Sequence, residues 1–373
     1  MNLSTKTQAP ALRTPLYDFH KSLGARLVNF AGYEMPVQYE GIIQEHILVR
    51  KSAGIFDVSH MGQLFIKHPE NDFSKLTTII PINFDKLELH QSKYSFLLNG
   101  DGGIVDDLIV TRIDEGLQII LNAACKYNDS TLIKNHLGYS FDIQLNENLS
   151  LIAIQGPKAA SILEKFIKGV SKLQFMHGNK FIYNDKKIYV TRSGYTGEDG
   201  FEISIENIYV KNLVEELVNK EKVKLIGLGA RDSLRLEAGL CLYGHDLSPT
   251  TTPIEANLSW AIPKNLKEDG GFNGDKIILH QIKNNPKRVR VGITPEGKAI
   301  AREGVKIFSK NNTEIGIVTS GTFGPSVDGP ISMGYVDFNS SKVGEKLLLK
   351  IRDNLLPAKV TKLPFYKKNY AKH

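Results

Sequence analysis

Cysteine is nearly missing from this 373-residue chain: Cys125 and Cys241 are its only two, far apart and with no CxxC neighbour. That excludes a paired-cysteine zinc site or a thioredoxin-type dithiol, and it suits a reducing cytosol. Long apolar runs are missing as well. None reaches the roughly 18 residues that a membrane-spanning helix needs, and the opening "MNLSTKTQAPALRTPLYDFH" lacks the apolar core of a secretory signal. Blocks of like charge are also missing. The 47 Lys and Arg against 40 Asp and Glu leave a dispersed formal charge of +7, which argues against a nucleic-acid tail and suits an acidic partner or a polyanionic small molecule. The sequence holds no HExxH, no P-loop and no GxSxG, and "GLGARD" (227–232) is not a GxGxxG, so no NAD, flavin or metal chemistry is expected. The expected location is cytoplasmic, with neither membrane nor nucleic acid as a partner.

What is present is ordinary globular material. At 41% hydrophobic and 23% charged, the chain can bury sizeable cores, and its length suggests two or three domains. Residues 1–15 read as a polar leader ending at Pro15. Ile43, Ile47 and Val49 share a rough helical face that closes at Gly54, after which "IFDVSHMGQLFIK" (55–67) reads as one strand. "KYSFLLNGDGGIVDDLIVTRI" (93–113) reads as a hairpin turning at Asn99–Gly100. A strand follows in "GLQIILNAACKYND" (116–129) and a helix in "DSTLIKNHL" (129–137). "LSLIAIQGPKAASILEKFI" (149–167) is strand, Gly-Pro turn, then helix, and two further helices are read at 206–220 and 229–244.

Past Trp260 the texture becomes polar and glycine-rich, then breaks into short strands separated by turns. The pattern predicts an α+β fold with mixed or antiparallel sheets rather than a doubly wound ladder. The expected division is residues 1–265, two intertwined α+β domains, and 275–373, a small β-barrel.

Three stretches could carry chemistry. In "GGIVDDLIV" (102–110), alternation puts Ile104, Asp106, Leu108 and Val110 on one face, with Val105, Asp107 and Ile109 on the other. Both faces are apolar, so the strand is expected to be buried on both sides, each face carrying one carboxylate. Such a carboxylate needs donors or a cation, or its pKa rises; a structural pairing with an arginine explains it as well as a functional site does. In "GYTGEDGFEIS" (194–204), Glu198 and Asp199 look like turn residues. Glu202 shares a face with Gly200 and Ser204, which is either a solvated edge or room for a flat ligand. In "GARDSLRLEAGLCLYG" (229–244), Asp232, Arg235 and Glu237 can form intrahelical pairs worth tenths of a kcal/mol. Arg231 lies in the first turn, where a cation opposes the helix dipole, which suggests a specific partner. His20, His46, His60 and His245 show no metal-ligand spacing and read as satisfied structural histidines. Asp57, Ser59 and His60 would not converge on a strand, which counts against a hydrolase triad.

Several segments together resemble the aminomethyltransferase, or T-protein, family of the glycine cleavage system. They include "FAGYEMPVQY" (30–39), "GIFDVSHMGQ" (54–63), "GGIVDDLIVTR" (102–112), "VTRSGYTGEDGFEIS" (190–204), "ARDSLRLEAGLCLYGHDL" (230–247) and "GIVTSGTFGPS" (316–326), in the family's order across nearly the whole chain. The resemblance implies a three-domain cloverleaf, two mixed α/β domains and a C-terminal small β-barrel, with tetrahydrofolate bound centrally as co-substrate. It implies Asp107 as the catalytic carboxylate and Glu202 as the residue holding the pterin ring. Arg231 and Tyr370 become further ligand contacts, Arg290 an arginine near the folate tail, and Met61, Asn122 and Trp260 pocket walls; Tyr94 departs from an aliphatic pattern in that wall. The implied reaction moves the one-carbon unit of an aminomethyl group on the lipoylated carrier, the H-protein, to tetrahydrofolate. That gives 5,10-methylenetetrahydrofolate, ammonia and the dihydrolipoyl carrier. The alternatives are a folate-dependent demethylase of a sulfonium or methylamine compound, and a non-catalytic folate-binding protein.

Overall fold

The computed structural model describes residues 10–371; most of the polar leader and the last two residues lie outside the described residues. Beside a two-stranded sheet of Arg26–Phe30 and Tyr33–Gln38, three larger sheet systems organise the described residues. A five-stranded antiparallel sheet takes the order Ser92–Leu98, Ile104–Ile113, Gly116–Leu121, Gly62–Lys67, Asp142–Leu145. A six-stranded sheet takes the order Gly178–Tyr183, Lys186–Thr191, Gly200–Glu206, Leu149–Gln155, Gly54–Asp57, Lys224–Leu225, antiparallel except for its last pair. The third is a closed barrel of six strands running from Arg288–Pro295 to Asn354–Thr361. The architecture is mixed α/β followed by a β-barrel.

Each of the two N-terminal sheets buries one face under a helix. The helix Asn207–Glu221 turns Val210, Leu213, Val214 and Leu217 inward at i, i+3, i+4 and i+7, where they join Ile152, Ile154, Phe201 and Ile203 of the six-stranded sheet. The helix Lys126–Leu137 does the same for the five-stranded sheet, packing Ile133 and Leu137 against Leu97, Leu108 and Val110. The helix Asp275–Asn284 sends Ile278 into a cluster with Phe96, Leu98 and Ile104 rather than into the barrel core.

The stretch read as one strand over 55–67 is two strands in two sheets. Asp57 Oδ1 accepts the Ser59 backbone N–H at 2.9 Å, and Met61 N–H bonds Val58 O at 3.1 Å, so an Asx-type turn reverses the chain between them. This turn is where the two N-terminal sheets exchange segments. Asp57 is itself locked by Thr14 Oγ1 at 2.6 Å and His20 Nε2 at 2.8 Å. Burial alone would raise its carboxyl, but His20, with Ser59 and Thr14, brings it down to about 2.

Candidate active site

Asp107 sits on the strand Ile104–Ile113, whose residues alternate between buried and half-buried over 104–110. The expectation of burial on both sides is therefore corrected. The Asp106 face lies under the helix Lys126–Leu137, while the Asp107 face looks into the middle of the molecule and is only half-covered. Tyr94 donates its hydroxyl to Asp107 Oδ2 at 3.0 Å, and Asn122 Nδ2 donates to Asp107 Oδ1 at 2.9 Å. The same amide nitrogen reaches Asp106 Oδ1 at 2.9 Å, and the Asn122 backbone N–H reaches Asp106 Oδ2 at 3.1 Å. Desolvation, then the negative charge of Asp106, lift the Asp107 carboxyl to about 7, against the lowering effect of the two donors. A carboxyl near neutrality is suited to taking and giving a proton.

Tyr94 was read only as a departure in the wall, and its direct contact with Asp107 was missed. The hairpin register explains why. A two-residue turn at Asn99–Gly100 would set Ser92 opposite Asp107. The observed loop is longer, tied by Asn99 Oδ1 to the N–H groups of Asp101 and Gly103, and it sets Phe96 opposite Asp107 and Tyr94 opposite Ile109. Tyr94 then stacks on Trp260, with centroids 5.6 Å apart. Trp260 stays 67% exposed and forms a rim, not an enclosed wall. Met61, half-buried in the turn between the sheets, packs with Val58, Phe56 and Ala153.

Glu202 projects from Gly200–Glu206, half-buried, opposite Ala153 and Thr191. Its Oε2 accepts from Ser193 Oγ at 2.8 Å. The small residues beside it do not make room for a ligand. The space a Cβ on Gly200 would fill is held by Gln155 Nε2 and Ile154 O, and Ser204 Oγ donates to Gln63 Oε1 at 2.6 Å.

Arg231 opens the helix Leu228–Glu237 with its guanidinium 4.8 Å from the Tyr195 ring centroid. Its Nη1 is buried and finds no partner among the described residues. Desolvation lowers its pKa, with Tyr195 and Glu202 opposing. An unpaired buried guanidinium nitrogen is costly unless something else completes it. Tyr195, whose hydroxyl donates to Cys241 O, feels both Asp107 and Arg231, and so links the carboxylate of one sheet to the cation of the helix.

The C-terminal segment packs back onto the turn at Gly197 and the end of the helix Leu228–Glu237. Asn369 N–H bonds Gly197 O at 2.7 Å and Tyr366 N–H bonds Glu237 O at 2.9 Å, which leaves Tyr370 stacked on Phe175 with centroids 4.3 Å apart. Glu198, read as a turn residue, is instead a buried tie. It pairs with Arg50 Nη1 at 3.0 Å and accepts from Asn369. Arg50 Nη2 meets Glu237 at 3.0 Å, and Glu237 also holds His46. Arg290 is 4% exposed; its Nε donates to Ala256 O and its Nη1 to Gly239 O and Met333 Sδ. Lys368, half-buried 5.9 Å from the Tyr370 ring centroid, has no carboxylate partner among the described residues; burial and then Arg290 push its pKa down. His60 departs from the satisfied-histidine reading. Its Nδ1 is buried without a partner among the described residues, and desolvation holds the ring down to about 4.

Comparison with known proteins follows the same division of the chain. Residues 16–266 match the family described as GCVT N-terminal domain, and residues 288–367 match the glycine cleavage T-protein C-terminal barrel domain. A mitochondrial aminomethyltransferase of Dictyostelium discoideum is 44% identical over 96% of this chain and 94% of its own. A probable mitochondrial aminomethyltransferase of Schizosaccharomyces pombe is 42% identical over 99% and 96%. The crystal structure of the glycine cleavage system aminomethyltransferase T from Bartonella henselae superposes with a TM-score of 0.91 at 40% identity, covering 96% of this chain and 99% of that one.

Proposed function

Because the chain belongs to the glycine cleavage T-protein family, we propose that its central cavity binds a reduced folate between Glu202, Arg231 and Asp107. The protein is an aminomethyltransferase of the glycine cleavage system. The single observation that carries the site is Arg231 Nη1, buried beside Tyr195 with nothing to donate to. A polar, flat ligand reaching it would restore the missing hydrogen bond. Tetrahydrofolate, the co-substrate this family uses, supplies carbonyl oxygen and ring nitrogen acceptors for Arg231 and an edge of N–H donors for the Glu202 carboxylate.

Within that reading each residue has a task. Ser193 holds one oxygen of Glu202 and leaves the other for ligand N–H groups. Tyr94 and Asn122 fix both oxygens of Asp107, so the carboxylate meets a folate amine in one orientation. As that amine attacks and develops positive charge, Asp107 stabilises it and accepts its proton. Trp260 and Tyr94 form an aromatic rim over the same spot, and Tyr370 on Phe175 closes the side toward the tail. Lys368 is the cation placed to meet tail carboxylates, with Arg290 adding its field from behind. The lipoylated H-protein is the proposed donor of the aminomethyl group.

No described helix is long and apolar enough to cross a membrane. The expected cytoplasmic location stays a proposal, since the relatives above are mitochondrial by name; subcellular fractionation decides it. Turnover with aminomethylated lipoyl carrier and tetrahydrofolate, run beside a sulfonium methyl donor, tests the function. Ammonia release with the first substrate alone is the expected result, and methyl transfer from the second would install the demethylase instead.

A further inference from the structure

Behind Asp107, on the opposite face of its strand, lies a carboxyl pair that the chemistry above does not use. Asp106 on Ile104–Ile113 and Asp129 on the helix Lys126–Leu137 are both 0% exposed. One oxygen of each, with Cys125 Sγ, lies within 4.8 Å of the others. Asp106 accepts two hydrogen bonds from Asn122. Neither Asp129 oxygen meets a donor in hydrogen-bond geometry among the described residues, and the Asn128 side chain beside it only partly offsets the upward push on its carboxyl.

Two full negative charges this close in a dry core repel strongly. One shared proton would remove the conflict, with Asp129 carrying it toward Asp106 and a single charge left on Asp106. Burial pushes both carboxyl groups upward, and the neighbouring Asp106 pushes Asp129 further. The other titratable groups facing the pair change nothing in this count. Burial and then Asp106 hold the Cys125 thiol neutral, burial likewise holds the Tyr243 phenol neutral, and Asp107 stands on the far side of Asn122.

We propose that Asp129 is a positioning residue for the reaction at Asp107: it shares one proton with Asp106, and the single charge left there orients Asn122, whose side-chain amide spans Asp106 and Asp107. The geometry makes Asn122 a rigid spacer. One amide N–H is anchored 2.9 Å from Asp106 and the other is offered 2.9 Å from Asp107. Without the proton on Asp129, Asp106 would be either unsupported or neutral, and the anchor would loosen.

The inference rests on Asp107 as the reacting carboxylate, so its test has a readout that does not need turnover. Infrared difference spectra of the full chain, taken well above the Asp107 midpoint, should show the carbonyl stretch of a buried protonated carboxyl. Asp129→Asn should abolish that band, and Asp107→Asn should leave it. In kinetics, Asp129→Asn keeps the shape of the protonated acid and one N–H donor, so kcat should stay within about threefold of wild type. Asp129→Ala should lower kcat roughly tenfold or more while KM for tetrahydrofolate moves less than about threefold. A merely structural role would not produce rescue by Asn with loss confined to kcat. An unchanged band in Asp129→Asn overturns the proposal, as does wild-type kcat in Asp129→Ala. So does a stoichiometric divalent cation in the purified protein that is lost in Cys125→Ser, since the three groups would then be metal ligands. Should Asp129→Ala fail to fold, the band in Asp129→Asn still decides. Full activity of Asp107→Asn, with the band behaving as expected, would instead remove Asp107 from the chemistry and leave the shared proton standing.

Discussion

Tyr94 holds Asp107: its hydroxyl lies 3.0 Å from Asp107 Oδ2, on the adjacent strand of the same sheet and two residues before the residue that pairs with Asp107. The contact lowers the Asp107 carboxyl, opposing the desolvation and the Asp106 charge that raise it to about 7. Tyr94→Phe should therefore move the acid limb of the kcat/KM profile upward, because the ionised form is the active one. One hydrogen bond to a carboxylate corresponds to roughly half a unit to one unit. A limb that stays in place, or moves down, would separate Tyr94 from the titrating group.

Asp107→Asn should keep folate binding and lose turnover by about 10²–10⁴-fold. It should also stabilise the protein. The folded-state pKa is raised, so below the unfolded value near 4 both states hold the proton and nothing changes. As pH rises toward 7 the unfolded chain ionises while the folded one resists, and stability drains away. Removing the carboxyl should thus gain about 1 kcal/mol or more at neutral pH and nothing at low pH. Denaturant melts at the two pH values, beside single-turnover assays, check both halves.

Arg231→Met exchanges an unsatisfied buried cation for an apolar side chain of similar length. The ligand-free protein should melt higher, by a shift corresponding to about 1–2 kcal/mol, and the additional thermal shift given by tetrahydrofolate should disappear. Glu202→Ala should weaken folate binding by roughly 10- to 100-fold, because a carboxylate accepting two N–H bonds is lost. Unaltered folate affinity in both variants would place the pterin elsewhere.

Glu198→Gln leaves Arg50 without one of its two carboxylates and weakens the anchor of Asn369. Breaking one partner of a buried pair costs about 3 kcal/mol. The expected signature is faster protease cleavage near the C-terminus and a weaker folate complex, since Tyr370 is two links away. A protected C-terminus in this variant would show that the strap is held by its backbone hydrogen bonds alone.

Legibility in the sequence followed the range of the interaction. Alternation along 104–110 separated Asp106 from Asp107 correctly, because the period of two is a property of the strand itself. The helix expected over 206–220 is likewise found, at Asn207–Glu221. Register was not legible. Asn99–Gly100 is a good hairpin turn by local chemistry, yet Asn99 also reaches Pro249 O at 2.9 Å. That long-range bond, with the Asn99 caps, favours the longer loop and brings Tyr94 to Asp107.

The same limit hid Glu198 and Glu237. Each looked like a local charge, one in a turn and one on a helix, until Arg50 arrived from far upstream in the chain to join them. Gly200 is the mirror case. Its small size suggested room for a ligand beside Glu202, but the room belongs to Gln155, whose amide bonds Ser193 O at 2.9 Å and accepts from Thr196.

The class of fold, the barrel after the polar boundary, the family, and the candidacy of Asp107, Glu202 and Arg231 are all legible in the linear chain. These depend on periodicity, on composition and on motifs that are contiguous in the chain. Which buried groups lack partners emerges only once the chain is folded: Arg231 Nη1 is open among the described residues, whereas Arg290 Nε and Nη1 donate to carbonyls and a sulfur. Satisfaction of a buried polar group depends on what the rest of the chain brings within about 3 Å of it, and no local pattern encodes that distance.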